Sequence, residues 1–302
     1  MPSQSKSRPG APRQRSSQTR RERAAQLRQQ QVRQDARRRR SSALSIVAAV
    51  AAIIAALVVV KVVAGHNKPK SGTATSAIPA SVVQQVSSVP ASAFATIGAG
   101  DAKAGPKPVS GQPVPTVNGK PVVQYVGAEY CPYCATERWP MVVALSRFGT
   151  FSNLGATHSS PSDVYPNTAT FSFHGATYTS PYLSLDAKEL QSNQVSGGRY
   201  TTLDKLNSAE NANFKAGGRG YPYVNLGGQY RVLTQYDPQV LQGKTMEQIA
   251  AALSDPTSEI AKSVDGAANL ITAGLCKLTN NQPANVCTAA PIPGLESQLG
   301  GT

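Results

Sequence analysis

Two thiols separated by two residues, in Cys131-Pro132-Tyr133-Cys134, are the side chains of this chain best suited by type and spacing to do chemistry. At that separation one sulfur can attack an external disulfide, and the second can attack the mixed disulfide so formed and close an internal pair. The same spacing also makes half of many zinc sites. Here the other cysteines, Cys276 and Cys287, have ten residues between them, no second C-x-x-C or His-x-His exists, and His158 and His174 stand alone. That pattern weighs against a metal centre. An inert staple is a further alternative, although a C-x-x-C loop is tight and tends to be labile.

The flanking elements decide what such a pair can do. Val122 to Ala128 is a short apolar, β-branched run that reads as a buried strand, led in by the turn Asn118-Gly119-Lys120-Pro121. From Ala135 to Phe148 the apolar positions Trp139, Val142, Val143, Leu145 and Phe148 recur at helical spacing. The cysteines therefore fall where a strand hands over to a helix. Free backbone N–H groups and the helix dipole stabilise an anion there, so a thiolate at the first cysteine is favoured. Pro132 suits the first helical turn, where its missing N–H costs nothing. This assigns Cys131 as the attacking nucleophile and Cys134 as the resolving thiol. Glu129, Glu137 and Arg138 flank the pair. A buried carboxylate, with Glu129 the candidate, could shuttle protons; the plainer expectation is charges exposed at the strand exit and on the helix face. Trp139 reads as core, and Pro140 is expected to kink the helix.

Downstream, residues 220–233 read as strand, Gly-Gly turn and strand, with Tyr221-Pro222 at the first strand's start. Helices are expected over Leu203–Phe214, Thr245–Leu253 and Ser258–Leu275, and Thr170 to Tyr178 reads as an inserted hairpin turning at His174-Gly175. No role is assigned to the insertion, residues 154–190. Cys276 and Cys287 close a polar, turn-rich loop; a structural disulfide there contributes about 2–4 kcal/mol. The alternative is a second redox pair relaying electrons to Cys131 and Cys134.

The chain's formal charge of +14 is unevenly placed. Residues 1–40 carry 13 Lys or Arg against Glu22 and Asp35, whereas the part from residue 71 onward is neutral, with 14 basic and 14 acidic side chains. The tail, 1–40, reads as disordered and basic, and no specific nucleic-acid partner is expected from it. Ala43 to Val60 is interrupted only by Ser45, so residues 41–65 read as one transmembrane helix rather than a cleaved signal peptide. The Arg37–Arg40 run sets the N-terminus in the cytoplasm. The expectation is a single-pass cell-membrane protein with a flexible stalk at 66–80 and an extracytoplasmic domain at 81–302. All four cysteines lie beyond the span, as a disulfide-permissive compartment requires.

Residues 127–139 (Gly-Ala-Glu-Tyr-Cys-Pro-Tyr-Cys-Ala-Thr-Glu-Arg-Trp), Ala144 to Gly149, Thr170 to Phe173 and Tyr221-Pro222-Tyr223 resemble a family of prokaryotic membrane-anchored proteins of unassigned function with a thioredoxin-like core. The resemblance runs from about Val82 to Leu275. It implies an α/β, thioredoxin-like fold with an inserted hairpin and an extra C-terminal helix, preceded by the transmembrane helix. It also implies that Tyr221-Pro222 is a cis element packed beside the cysteine pair and shaping a groove for an extended substrate segment. The tetrad is shared with glutaredoxins, but an extracytoplasmic site argues against assuming glutathione. The expected activity is thiol-disulfide exchange on exported protein thiols or disulfides, with a membrane redox partner and the lipid bilayer as further partners. No nicotinamide or flavin fingerprint appears, so no cofactor is expected. The rival is a non-enzymatic envelope scaffold that binds a partner.

Overall fold

A computed structural model describes residues 69–109, 114–233 and 236–299. In chain order the elements are β1 (Ser76–Ala77), α1 (Ala80–Ser87), α2 (Ala91–Ile97), β2 (Lys107–Pro108), β3 (Thr116–Val117), β4 (Lys120–Gly127) and α3 (Pro132–Ser146). There follow β5 (Thr150–Ser152), β6 (Gly155–His158), β7 (Ala169–Ser172), β8 (Thr177–Thr179), β9 (Ser184–Glu189), β10 (Gln191–Ser196) and β11 (Arg199–Thr202). The remainder is α4 (Ser208–Ala216), β12 (Tyr223–Leu226), β13 (Tyr230–Val232), a 3-10 turn (Pro238–Leu241), α5 (Met246–Ala252), α6 (Glu259–Leu278), α7 (Ala284–Cys287) and α8 (Ile292–Gln298).

The main sheet is mixed, and β4 is its centre. It pairs antiparallel with β12 and parallel with β9, while β13 and β2 continue the sheet beyond β12. β3 joins the start of β4 through Asn118-Gly119, both at positive φ (52° and 75°), the hairpin turn that Asn-Gly favours. Side chains alternate across a strand. Val123 and Tyr125 of β4 with Val224 and Leu226 of β12 enter the main core beneath α3 and α6. Val126 and Tyr223 point to the other face, where Phe214 of α4 covers them. The result is an α/β mixed sheet with helices, consistent with a thioredoxin-like topology.

Helix α3 is buried along most of its length, because it packs against α6, α1 and β7 at once. Trp139 is fully buried, and its indole N–H donates to the Ala169 carbonyl at 2.9 Å. α6 is capped by Ser258, the first residue of the expected helix, whose hydroxyl accepts the Ile260 N–H. It runs one turn beyond Leu275, after which α7 carries Cys287 back to Cys276. The predicted helix over 203–214 starts only at Ser208. Asn207 and Glu210 form a reciprocal capping box there, while Leu203 and Asp204 bond to the carbonyls of Leu190 and Glu189.

The predicted hairpin over 170–178 is not one. β7 pairs with β6, and β8 pairs with β5, so its two arms find partners upstream rather than each other. The physical reason is burial: all of β7 is buried, and Phe171 stacks edge-on against Trp139 at 4.5 Å, which commits that arm to the core. A tight hairpin follows the region, β10–β11.

The expected membrane anchor requires a second correction. The span read at 41–65 and the tail at 1–40 lie outside the described residues. Among the described residues no helix is long and apolar enough to cross a membrane. The longest, α6, carries Glu259, Lys262, Asp265 and Lys277. The transmembrane helix in the expected fold, the single-pass extracytoplasmic location, the bilayer as partner and the membrane-anchored activity are therefore without support and are not carried forward. Within the stretch 66–80 read from composition as stalk, residues 70–77 lie along the domain: Gly72 N–H donates to the Asn193 carbonyl at 2.8 Å, and β1 pairs with β6.

Candidate functional site

β4 and α3 bring the two cysteines to one point. Cys131 is the N-cap of α3, in extended backbone geometry, with Pro132 at the first helical position. The Cys134 backbone N–H donates to Cys131 Sγ at 3.3 Å, so the sulfur takes the place of a capping oxygen. Both cysteines are free thiols. Cys131 keeps 6% of its surface exposed and Cys134 none, so only the first can meet an external sulfur directly.

Electrostatics separate the two thiols further. The Cys134 side chain hydrogen-bonds Cys131 and holds the Cys131 thiol below its usual range; burial opposes this, and the Cys134 N–H and the Arg138 charge assist. Cys134 moves the other way: complete burial raises it well above the ordinary thiol range, and its neighbour adds to the effect. The arrangement suits a nucleophile at 131 and a protonated partner at 134.

Beneath the pair lies an ion pair. Arg138 and Glu189 are fully buried, and the guanidinium meets the carboxylate in a fork, Nε to Oε1 and Nη2 to Oε2, both 2.7 Å. Arg138 Nη2 also donates to the Ala128 carbonyl at 2.7 Å, tying α3 to the strand exit just before the cysteines. Tyr125 lies below the same region. A Cβ on Gly127 would fall 2.1 Å from the Tyr125 hydroxyl oxygen and 3.0 Å from Cys134 Sγ, so only glycine lets these groups converge.

Around the opening stand tyrosines. Tyr130 and Tyr221 pack on the cysteines, and Tyr130 is stacked on Tyr200 of β11 with centroids 4.1 Å apart. Tyr133 is exposed and meets Tyr165 edge-on. The Tyr221-Pro222 bond is cis. Tyr221 of this cis element packs against the cluster that holds the pair.

The charged residues expected at the surface are buried. Glu129, Glu137 and Arg138 are each at most 2% exposed. Glu129 Oε1 accepts from Ser172 Oγ at 2.6 Å and Thr75 Oγ1 at 2.9 Å, beside Glu189 rather than against a sulfur. Burial alone pushes the Glu137 carboxyl well up, and neither oxygen has a partner among the described residues. Cys276 and Cys287 form a disulfide at the end of α6, apart from the cluster that holds Cys131 and Cys134. Among the described residues no group of three or more His, Cys, Asp or Glu is placed to hold a metal ion.

Sequence reasoning missed Tyr125, Tyr200 and above all Glu189. Arg138 carried a usable signal: it is four residues after Cys134 and seven after Cys131, so the three share one helix face. An arginine on a face that must be buried requires an acid, but nothing local says that the acid is 51 residues away.

Residues 108–203 match a family described as Domain of unknown function (DUF929). The matched stretch contains β4, the cysteine pair, Arg138 and Glu189, and stops short of Tyr221-Pro222. No curated protein and no solved structure matches the chain. The family match accords with the resemblance around the tetrad, and the membrane-anchored part of that resemblance has no support.

Proposed function

We propose that this domain is a thiol-disulfide oxidoreductase working through Cys131 and Cys134. The observation that carries the reading is the asymmetry of the pair. One sulfur caps a helix and keeps a small exposed area with its thiolate favoured, and the other is fully buried one turn below with its thiol favoured.

The steps follow from that asymmetry. Cys131 thiolate attacks a sulfur of a substrate disulfide; a Cys131–substrate disulfide forms and the other substrate sulfur departs as thiolate. Cys134 then attacks Cys131 Sγ. The Cys131–Cys134 bond forms, the Cys131–substrate bond breaks, and the Cys134 proton passes to the leaving thiolate. The substrate gains two electrons and the protein loses two. Run backwards, the same steps oxidise a substrate dithiol. The cis Tyr221-Pro222 and the stacked Tyr130–Tyr200 pair flank the opening where a substrate segment would lie.

Reduction of insulin by dithiothreitol, followed by turbidity, tests the reading on the full chain beside Cys131→Ser. The wild type should accelerate precipitation and the variant should not. Equal rates in both would sink the proposal and leave a scaffold role for the domain.

A further inference from the structure

The resolving step poses a chemical problem. Cys134 must act as a thiolate, yet it is wholly buried and its ionisation is opposed by that burial. A buried anion needs a compensating charge or donor within reach.

The structure supplies both, from two elements. Arg138 comes from the same face of α3, one turn beyond Cys134. Its Nε and Nη2 are committed to Glu189 and Ala128, while Nη1 is buried and has no hydrogen-bond partner among the described residues. Tyr125 comes from β4. Its hydroxyl is also buried and without a partner among the described residues. Both the Tyr125 oxygen and Cys134 Sγ lie within 3.0 Å of the vacant Gly127 Cβ position, which places them no more than about 5 Å from each other. The Arg138 guanidinium carbon stands 5.8 Å from the Tyr125 ring centre. An orphaned hydroxyl therefore lies beside the sulfur that must become an anion, and a buried cation with a free N–H acts on that sulfur through space.

We propose that Arg138 and Tyr125 are the receptor for the Cys134 thiolate, and that Glu189 sets its strength by holding the guanidinium and partly neutralising it. The inference rests on the redox reading above and deepens it. Glu189 is the positioning residue; Arg138 supplies the charge and Tyr125 the donor nearest the sulfur. In the step itself, Cys134–SH gives up its proton, which ends on the departing substrate thiolate; the transient anion is held by the Arg138 charge and the Tyr125 O–H, and the Cys134–Cys131 bond forms as the Cys131–substrate bond breaks. The other tyrosines beside the pair are Tyr130, Tyr133 and Tyr221, whose hydroxyls burial keeps protonated. Glu129 lies close enough to Glu189 to raise its carboxyl.

The opposed signs of the two ion-pair partners make the test. Full-length protein is reacted with glutathione disulfide in a stopped-flow instrument, and closure of Cys131–Cys134 is separated from formation of the mixed disulfide as a function of pH. Arg138→Met should slow closure on the order of tenfold and move its pH midpoint up, because a hydrogen-bonding charge is lost. Glu189→Gln, which keeps an acceptor for Arg138, should speed closure and move the midpoint down. Tyr125→Phe should slow closure with little change in the first step. Slowing in all three variants with an unmoved pH midpoint would reduce these residues to packing and overturn the inference. Should Arg138→Met not fold, the opposed shifts of Glu189→Gln and Tyr125→Phe carry the same decision. A wild type that forms no mixed disulfide at Cys131 would overturn the redox reading itself, which the variants cannot do.

Discussion

Cutting the Arg138–Glu189 pair from one side should cost the domain far more than removing it whole. Both side chains are fully buried and joined by two 2.7 Å bonds, with a third 2.7 Å bond to the Ala128 carbonyl. Arg138→Met leaves a carboxyl in the core with no cation, and Glu189→Leu leaves a guanidinium there with no anion. Each single change should cost about 3–5 kcal/mol. For a domain of this size, about 2–4 °C per kcal/mol gives a fall in melting temperature of roughly 6–20 °C. The double variant Arg138→Met/Glu189→Leu removes both charges and leaves the Ala128 carbonyl short of a donor and the Phe173 N–H short of its long, 3.4 Å bond, together about 1–3 kcal/mol. The double-mutant cycle should therefore show a coupling of at least about 3 kcal/mol. Urea unfolding of the four proteins at pH 7, followed by circular dichroism, measures it. Additive losses, or single losses under about 1 kcal/mol, would show that the pair is not desolvated as described and would undo the electrostatic account of the site.

Other expectations can be checked on the same protein. Burial raises the Asp265 carboxyl to about 8, with Arg147 pulling the other way, and neither oxygen has a partner among the described residues. The folded chain thus keeps a proton that the unfolded chain gives up above about pH 3.9. Its contribution is complete below that pH and is lost, at up to about 1.4 kcal/mol per pH unit, until about pH 8. Asp265→Asn should accordingly raise the melting temperature more at pH 7.5 than at pH 4.5; a pH-independent difference would refute the assignment. Replacing Cys276 and Cys287 together by serine opens a short loop and should cost about 3 kcal/mol. Insulin-reduction turnover should stay unchanged, whereas its loss would point to an electron relay. With iodoacetamide at pH 7 the reduced protein should take up one label rapidly, at Cys131, and peptide mapping that finds Cys134 labelled first would reverse the roles.

The strand–cysteine–helix junction was legible because its signals are local. A β-branched run, a proline at the first helical position and helical spacing of apolar residues all lie within residues 122–148. The Tyr-Pro strand and the Gly-Gly turn were legible for the same reason. What escaped depends on pairing at a distance. Thr170 to Tyr178 alternates like a hairpin, but strand partners are chosen by which face is buried, and Phe171 belongs against Trp139. The flanking charges read as exposed because carboxylates usually are, and that expectation fails where an acid 51 residues away neutralises Arg138. Composition, too, reads segment 70–77 as a linker, since the bonds it makes to Asn193 and Glu129 come from residues remote in the chain.

The most direct test of the central claim is to catch the first covalent intermediate. Cys134→Ser removes the resolving sulfur, so a substrate joined to Cys131 has no internal route of escape. The variant is incubated with insulin or glutathione disulfide, quenched in acid and digested for mass spectrometry. The account predicts a stable mixed disulfide on Cys131, absent from Cys131→Ser/Cys134→Ser. A Cys134→Ser protein that stays free of adduct would contradict it.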